Sequence, residues 1–572
     1  MRQCGSGKMR GLGDILAAAG FGAACWLPAA CWSPAEAQIA SVTLPPPADL
    51  TRPQAPLRAP GAALRVSPTP PPAIPAAAET TMVDVAAITL DGVTAYDPAA
   101  LAPDYSGLIG RRVPLAELFR AAARIEAHYR SDGYVLTRAV VPAQDIADGH
   151  FHIQVIEGYV SDVQVTGDPR GKAALIRRTL APLTRARPVA IEDLERALLL
   201  VNGIPGVEGH GVLTPAAGTP GAARLVVDIR VKPVDVFMTI NNRGSRFAGP
   251  VTGTIGFDLN DVGGGHVGGL YFTTFNREQN YFELSADGRI GASGLRVRGW
   301  TSYATSHPGS VLAPLDISSH SFVGGIGAEY PLLLTRAASV SVHGSFEIAN
   351  DRIDILGVPD SRDRQRILRF GISARSRDGW MGVDTLTVTA HKGLDIFNAS
   401  GPGDPVAQSR LGGRSDFFKA TATASHFQPI ATAPWGGVGL LLSAAGQYAA
   451  DPLLSLEQFH VGGEAFGRGF NPSQYSGDDG IAGAAELQLT HAVAVGPFAS
   501  QQLYAFFDAA SVHDRGVPGW TGIQSYGGGV RVDLGRRLSG QLELAVPYHG
   551  GRQVGARLDR GVQAFFSLTA RY

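Results

Sequence analysis

A single arginine stands between two glycines in a turn-rich stretch that runs from residue 462 to residue 486. The motif reads Gly467-Arg468-Gly469-Phe470. Glycine lets the backbone make tight, closely packed turns that a side chain would forbid. A guanidinium presented on such a turn is a planar fork that suits a carboxylate partner. The motif by itself fits two interpretations, a solvated surface turn or an arginine held for an ion pair.

No catalytic or nucleotide-binding constellation accompanies this arginine. Residues 263–268 satisfy G-x-G-x-x-G, but that fingerprint needs a helix after it, and strand patterns lie on both sides here. His150 and His152 could share a strand face, although the histidines show no paired zinc-ligand spacing. A Walker lysine loop and a G-x-S-x-G elbow are both missing from the sequence. We therefore expect no enzyme activity, no nucleotide, no metal and no other cofactor.

Charge and cysteine usage narrow the class of protein further. The chain has 49 basic and 50 acidic residues, which argues against a nucleic-acid partner. Residues 1–37 resemble an export signal, with a basic start, an apolar core and a small-x-small site at Ala35-Glu36-Ala37. All three cysteines lie within this segment. Its removal would leave an exported chain that has no disulfide framework.

Two α/β repeats are predicted between the signal and residue 233. Residues 38–80 are rich in proline and alanine, which is typical of an extended, semi-rigid linker. Beyond them, apolar residues recur at helical spacing after Pro114, and Asp132-Gly133 ends that helix. The order of strands and helices then recurs. We predict one α/β domain over residues 81–158 and a second over 159–233.

Residues 234–572 change to short alternating segments separated by turns. We count about sixteen such segments, and strands of about 9–11 residues can cross a bilayer as a closed barrel. A soluble β-sandwich would also alternate, but it would not explain the export signal and the alternation of short and long connections. Long loops are expected near residues 306–317, 349–365, 396–415 and 451–480. The predicted fold class is a transmembrane antiparallel β-barrel of about sixteen strands preceded by two α/β domains.

Several motifs, in order along the chain, resemble one family. The segment from Tyr134 to Asp145, continued by Asp148-Gly149 and by 155–158, resembles the first polypeptide-transport-associated (POTRA) domain of two-partner secretion transporters. These are the outer-membrane exporters of haemolysins and filamentous haemagglutinins. Residues 198–207 resemble the second such domain, and residues 241–249 resemble the first barrel strand with its turn. The alternating C-terminus, which ends on Tyr572, resembles the strand by which outer-membrane barrels are recognised for assembly.

The resemblance implies a site in the barrel lumen. In the family, the loop arginine folds back into the barrel and pairs with the aspartate of an F-x-D-x-G motif. This chain offers Phe506-Phe507-Asp508-Ala509-Ala510, with Ala510 at the family's glycine position. The residues expected to form this lumen latch are Gly467, Arg468, Gly469, Phe470, Phe506 and Asp508. The residues expected to recognise substrate in the first POTRA domain are Gln144, Asp145, Asp148, Gly149, Glu157 and Gly158.

The resemblance also implies partners and a location. We expect two periplasmic POTRA domains (81–158 and 159–233), a monomeric barrel (234–572) in contact with outer-membrane lipid, and a secreted exoprotein that passes through it. The alternative is a barrel-assembly insertase, which shares the architecture and the arginine loop but usually has more POTRA repeats. A passive porin would need no such repeats, so residues 81–233 count against it.

Overall fold

The computed structural model describes residues 64–66, 74–144, 148–216, 218–491, 498–535, 537–550 and 561–572. The predicted export signal at 1–37 and the candidate residue Asp145 lie outside these ranges. None of the described helices is long and apolar enough to cross a membrane.

The first α/β domain packs one long helix on a small sheet. The described chain opens with β1 (Leu64–Val66) and α1 (Ala76–Thr80). The domain itself contains β2 (Met82–Val85), β3 (Ala87–Asp91), β4 (Arg111–Pro114), α2 (Ala116–Ser131), β5 (Arg138–Val140) and β6 (His150–Ile156). β3 pairs in parallel and β5 antiparallel with β6, while β2 pairs with β4. Ile125 and Tyr129 of α2 are buried in one apolar cluster with Phe151 and Ile153 of β6, which fixes the helix on the sheet.

The second α/β domain repeats this arrangement with two helices. Its elements are β7 (Tyr159–Asp168), α3 (Ala173–Leu180), α4 (Ile191–Asn202), β8 (Val207–Pro215) and β9 (Ala222–Val231). The sheet order is β1-β8-β9-β7. Ile176 of α3 and Leu198 of α4 are fully buried against Leu225 and Val227 of β9.

The segment predicted as an extended linker is structured where it is described. Residues 64–66 form β1, which pairs in parallel with residues 211–213 of β8, and residues 76–80 form α1. The prediction of a linker is therefore wrong for these residues. The proline and alanine content indicates only the local conformational preference of the backbone. β1 forms because it pairs with the backbone of a strand that is distant in the sequence.

The remaining chain forms a closed antiparallel barrel of sixteen strands, which confirms the predicted fold class. The first eight are β10 (Val234–Asn241), β11 (Thr252–Val262), β12 (Gly265–Thr274), β13 (Gln279–Ile290), β14 (Leu295–Ser306), β15 (Ser318–Leu334), β16 (Ala338–Ile355) and β17 (Val358–Arg377). They are followed by β18 (Val383–Gly393), β19 (Phe418–Ala433) and β20 (Gly436–Ala449). Two short strands, β21 (Phe459–Val461) and β22 (Tyr475–Gly477), pair with each other outside the barrel sheet. The barrel continues with β23 (Asp479–His491), β24 (Phe498–His513), β25 (Thr521–Leu534), β26 (Leu538–Gly550) and β27 (Gln563–Arg571).

The seam that closes the barrel joins its first and last strands. Five residue pairs connect β10 with β27, from Phe237 opposite Arg571 to Asn241 opposite Ser567. Within each strand, side chains alternate between the two faces. On β24, Leu503 and Phe507 are exposed on the outer face, whereas Tyr504 and Phe506 are buried on the inner face, as the alternation in the sequence predicts.

One predicted long loop is wrong. Residues 349–365 lie mostly in β16 and β17, which are joined by a two-residue turn at Leu356-Gly357. The charged residues of this stretch occupy the end of a long hairpin far from the α/β domains. Because both faces of that hairpin carry polar side chains there, the apolar alternation that marks a strand is absent from the sequence.

The second α/β domain contacts one end of the barrel, which contains the β11–β12 turn. We call this the near end and the opposite end the far end. The ammonium of Lys172, a fully buried residue, donates to the carbonyls of Gly264 and Gly265 in the turn between β11 and β12 (3.4 and 3.3 Å). Arg196 of α4 donates to the carbonyl of Pro331 (3.1 Å). Burial without a carboxylate partner in hydrogen-bond contact lowers the pKa of Lys172. These contacts attach the domain to the β11–β12 turn and to β15.

Candidate functional site: the loop held inside the barrel

The connection between β20 and β23 starts at the far end of the barrel and folds back into its interior. The β21–β22 pair forms the stem of this loop, and the motif 467–470 lies between the two short strands. Its contacts are made with residues on the inner face of β23 to β26. We call residues 450–478 the inner loop.

The two glycines of the motif are required by the backbone and by close packing. Gly467 has φ +89°, and a Cβ there would lie 2.3 Å from Cδ1 of Ile523. A Cβ on Gly469 would lie 2.8 Å from the backbone nitrogen of Pro547. Phe470 packs into an apolar cluster with Ile523 and Ala510. The alanine that replaces the family's glycine is therefore accommodated in this packing.

Arg468 is buried among carboxylates and an aromatic ring. Its Nη1 donates to Oε2 of Glu486 at 2.7 Å. The carboxylate of Glu543 lies 3.6 Å from Nη1, and that of Asp508 lies 3.8 Å from Nε. The guanidinium carbon stacks 4.2 Å from the ring centroid of Phe506. The nearest carboxylate is therefore Glu486, although Asp508 is the partner expected from the resemblance.

The carboxylate of Asp508 contacts the inner loop mainly at the backbone of the loop. The carboxylate accepts from the Arg468 backbone N–H at 3.2 Å and from the Ser525 hydroxyl. The Ser525 oxygen in turn accepts from the Gly469 backbone N–H at 3.1 Å. Nε of Arg468 has no hydrogen-bond partner within the described residues. Asp508 therefore holds the turn that presents the arginine, while Glu486 holds the guanidinium.

Two further arginines complete a charge-balanced network around Arg468. Arg531 donates to both oxygens of Glu486 (2.6 and 3.1 Å). Arg243 donates to Glu543 at 2.6 Å. The network thus combines the arginines Arg243, Arg468 and Arg531 with the carboxylates Glu486, Asp508 and Glu543. Equal numbers of opposite charges limit the cost of burying them, provided that each stays paired.

A second anchor of the inner loop was not predicted from the sequence. Glu457, 3% exposed, accepts from Nη2 of Arg369 on β17 at 2.9 Å and from Nζ of Lys419 on β19 at 2.8 Å. Lys419 also donates to the backbone carbonyl of Glu457 (2.6 Å). Arg369 is paired in addition with Glu347. No glycine or aromatic motif marks Glu457, and the sequence carries no local signal for it.

Glu486 and Glu543 could have been found from the alternation. Each stands at the centre of a strictly alternating strand, in Ala485-Glu486-Leu487 and in Leu542-Glu543-Leu544. A carboxylate flanked by lipid-facing leucines must face the barrel interior. That observation identifies inward charges, but it does not tell which of them meets Arg468.

The candidate residues of the first α/β domain hold that domain together. The Glu157 carboxylate accepts from the backbone N–H groups of Thr94 and Ala95 (2.8 Å each), from the Thr94 hydroxyl and from the Tyr129 hydroxyl (2.7 Å). Burial raises the pKa of Glu157, but these hydrogen bonds outweigh it and leave the pKa below its ordinary value. A Cβ on Gly158 would lie 2.3 Å from Cβ of Leu136, so this position needs a glycine.

The other described candidates of this domain lie at the two ends of the connection between β5 and β6. The side-chain amide of Gln144 donates to the His152 carbonyl (2.9 Å) and accepts from its N–H (2.8 Å). Asp148 and Gly149 both have positive φ, and a Cβ on Gly149 would lie 2.5 Å from the Asp84 carbonyl oxygen. Asp148 is exposed. Of the described candidates in this domain, only Asp148 presents a free surface side chain.

Comparison with known proteins assigns the family. Residues 83–158 match the family described as "POTRA domain, ShlB-type". Residues 277–532 match the family described as "Haemolysin secretion/activation protein ShlB/FhaC/HecB". The chain belongs to the two-partner secretion transporters. This transporter is an outer-membrane protein with periplasmic N-terminal domains, and its family exports a secreted exoprotein.

Relatives and solved structures agree with this assignment. The transporter is 23% identical over 461 residues to the outer membrane transporter CdiB of Dickeya dadantii, covering 77% of this chain and 78% of that protein. Its fold is similar to the structure of CdiB from Escherichia coli, with a TM-score of 0.72 at 18% identity, covering 88% and 92% of the two chains. CdiB from Acinetobacter baumannii gives a TM-score of 0.64 at 15% identity, covering 86% and 90%. Because the N-terminal domains are periplasmic and the second of them contacts the near end of the barrel, that end is periplasmic and the far end is extracellular.

Proposed function

We propose that this transporter secretes a partner exoprotein through its barrel and that the inner loop is the latch of the pore. The observation that carries the proposal is the pairing of Arg468 with Glu486 inside the lumen. A wet ion pair contributes about 0–1 kcal/mol, but loss of one partner from a buried network costs about 3–5 kcal/mol. An interaction of that size can fix the loop and can still be exchanged for contacts with a passing chain.

Substitution of the loop arginine tests the latch. In cells that produce both partners, we expect Arg468→Ala to reduce exoprotein secretion strongly while the folded barrel still inserts, measured by its heat-dependent electrophoretic mobility. Arg277→Ala is the matched control, because Arg277 lies in another extracellular turn and is exposed. Secretion that stays at the wild-type level in Arg468→Ala would refute the latch.

We propose that the POTRA domains bind the unfolded exoprotein by adding its strand to a sheet edge. In the second domain, β7 lies at one edge of the sheet, and at the other edge β1 covers β8. Replacement of residues 64–66 by a glycine–serine segment would uncover β8. Tighter binding of an unfolded exoprotein fragment would identify β8 as the acceptor edge, unchanged binding would identify β7, and a proline in β7 that leaves binding intact as well would refute strand addition.

We propose further that the transporter works as a monomer in direct contact with lipid and has no enzymatic activity. Each barrel strand is paired on both sides, and the outer face carries large apolar side chains such as Ile326 and Phe370.

Deletion of the gene should abolish secretion of the exoprotein while other outer-membrane barrels assemble normally. General loss of barrel assembly would favour the insertase instead.

A further inference from the structure

A run of arginines covers the outer face of the extracellular hairpin. On β17, Arg362, Arg364 and Arg366 alternate with inward-facing residues, and the outward series continues downwards with Leu368, Phe370 and Ile372. These three apolar side chains are 47%, 63% and 47% exposed, as lipid-facing residues should be. One strand therefore changes from three cations to three apolar residues along the same face. The change marks the height of the membrane surface at the extracellular leaflet.

Neighbouring strands extend this basic surface into an open pocket. Arg352 of β16 lies opposite Arg362, and Asn350 lies opposite Arg364. On the next two strands, the Tyr303 hydroxyl contacts Nδ1 of His320 at 3.0 Å. Together these side chains line one concavity on the outer wall. We call it the arginine pocket.

The arginine pocket has more positive charge than its carboxylates balance. Arg352 is paired with Asp354 (2.9 Å). Nη2 of Arg364 donates to both carboxylate oxygens of Asp404 (2.9 and 3.0 Å). Within the described parts of the chain, Arg362 and Arg366 have no carboxylate within 4.0 Å. Asp360, near the hairpin tip, is exposed. Asp351 also borders the pocket, but it alternates with the outward Asn350 and Arg352 and stands opposite Asp363 on the inner face of the hairpin. Two guanidinium groups of the pocket therefore lack a paired anion.

Arg366 is the stronger case, because it is only 6% exposed. Its guanidinium donates to neutral acceptors alone: the carbonyls of Phe397 (3.1 and 3.2 Å), Ala349 (3.3 Å) and Gln365 (2.8 Å), and Oδ1 of Asn350 (3.0 Å). A buried charge without a counter-charge is unfavourable. The pocket thus holds a preformed cation that an external anion would neutralise.

We propose that the arginine pocket binds the phosphate groups of a glycolipid headgroup in the outer leaflet. Guanidinium groups match phosphate oxygens with paired, charge-assisted hydrogen bonds. The pocket opens outwards, away from the lumen through which the exoprotein passes. It also lies directly above the lipid-facing side chains of the same strand, so that a lipid with its acyl chains on Phe370 and Ile372 places its headgroup beside Arg362 and Arg366. An acidic protein segment would match the charge of the pocket, but it would not contact the apolar side chains that lie directly below it on the same strand.

Lipid binding by the full-length protein in detergent micelles tests the proposal. We use bisphosphorylated lipid A as the probe, dephosphorylated lipid A as its matched lipid, and native mass spectrometry or titration as the measurement. We expect wild type to prefer the phosphorylated probe. The double variant Arg362→Gln/Arg366→Gln should bind it at least about tenfold more weakly, since each lost charged hydrogen bond corresponds to roughly that factor. Arg277→Gln, which removes one positive charge at another extracellular turn, should bind like wild type.

Competition experiments distinguish the source of the anion. Excess inorganic phosphate should displace the phosphorylated lipid poorly, and an acidic peptide should displace it no better. Full displacement by free phosphate would reduce the pocket to a simple anion site, and stronger displacement by the peptide would assign it to a protein; either result overturns the proposal. So does equal binding of both lipids to wild type. Arg362→Gln alone, at a partly exposed position, repeats the comparison if the double variant misfolds.

Discussion

The inner loop is fixed to two sectors of the barrel wall with opposite charge. At the Arg468 anchor, the loop brings a cation to carboxylates on β23, β24 and β26. At the Glu457 anchor, it brings an anion to cations on β17 and β19. A passing peptide segment of one charge can compete with the loop at only one of these anchors. Full release of the loop therefore requires a passing peptide with both positive and negative side chains. The alternative is that the packing that excludes water is lost at both anchors.

The two anchors also differ in how their charges are shared. Glu486 is shared between Arg468 and Arg531, so that each keeps a partner if the other moves. Among the described residues, Glu457 is the one carboxylate within 4.0 Å of both Arg369 and Lys419. The Glu457 anchor has less redundancy and should fail more abruptly when it is altered.

The largest effect is expected for Glu457→Gln. The change leaves Arg369 and Lys419 with Glu347 as the remaining nearby carboxylate, so the loop stem should open more easily by about 3–5 kcal/mol. Hydrogen exchange of the β21 and β22 amides measures this local opening. Glu464→Gln, at an exposed position of the same loop, is the control. Unchanged exchange in Glu457→Gln would remove the second anchor from this comparison.

A smaller effect should separate the two carboxylates that accept hydrogen bonds from Arg468, namely Glu486 and Asp508. We expect Glu486→Gln to weaken the anchor by about 2–3 kcal/mol, because it removes a charged hydrogen bond. Asp508→Asn should cost about 1 kcal/mol, because the amide oxygen can still accept from the Arg468 backbone N–H and the amide NH2 can donate to the Ser525 oxygen. Double-mutant cycles with Arg468→Ala supply the measurement. A stronger coupling of Arg468 to Asp508 than to Glu486 would reverse the assignment.

The aromatic contribution at the Arg468 anchor should be smaller still. Phe506→Leu keeps an apolar side chain but removes the ring below the guanidinium, which is worth about 0.5–2 kcal/mol. Loop opening in this variant should rise modestly by the same hydrogen-exchange measurement. Phe507→Leu, on the lipid-facing side of the same strand, should leave the loop unaffected. Equal effects of the two changes would show that strand packing, not the cation–π contact, is responsible.

Glu157 offers a reference carboxylate that is held by neutral donors. Its hydrogen bonds lower its pKa, so its contribution to the stability of the first POTRA domain is present at neutral pH. That contribution should disappear as the pH falls below the ordinary pKa of a glutamate, about 4.3. Hydrogen exchange of β6 against pH measures it. Glu157→Gln should lower protection at neutral pH and flatten this profile; an unaltered profile would mean that another group titrates.

The sequence was sufficient for the architecture because each level of pattern agreed. Alternation along β24 predicts which face Tyr504 and Phe507 occupy, and repeated strand and helix patterns predict the two α/β domains. It was insufficient where the signal depends on distant partners. Leu64–Val66 becomes a strand only because β8 is there to pair with it, and Glu457 becomes an anchor only because two other strands bring Arg369 and Lys419 together. The hairpin that contains residues 349–365 was not predicted, because polar side chains occupy both of its faces there.

The seam between β10 and β27 has a consequence for the order of folding. Thr239 and Thr569, which face each other across it at 2.9 Å, are 330 residues apart in the chain. The contact of Lys172 with Gly264 spans only 92 residues. Because loop-closure entropy grows with the length enclosed, we expect the second domain to settle on the early hairpins while the barrel is still an open sheet. Ring closure then becomes the final step, and a chain that lacks β27 should stall with its periplasmic domain already in place.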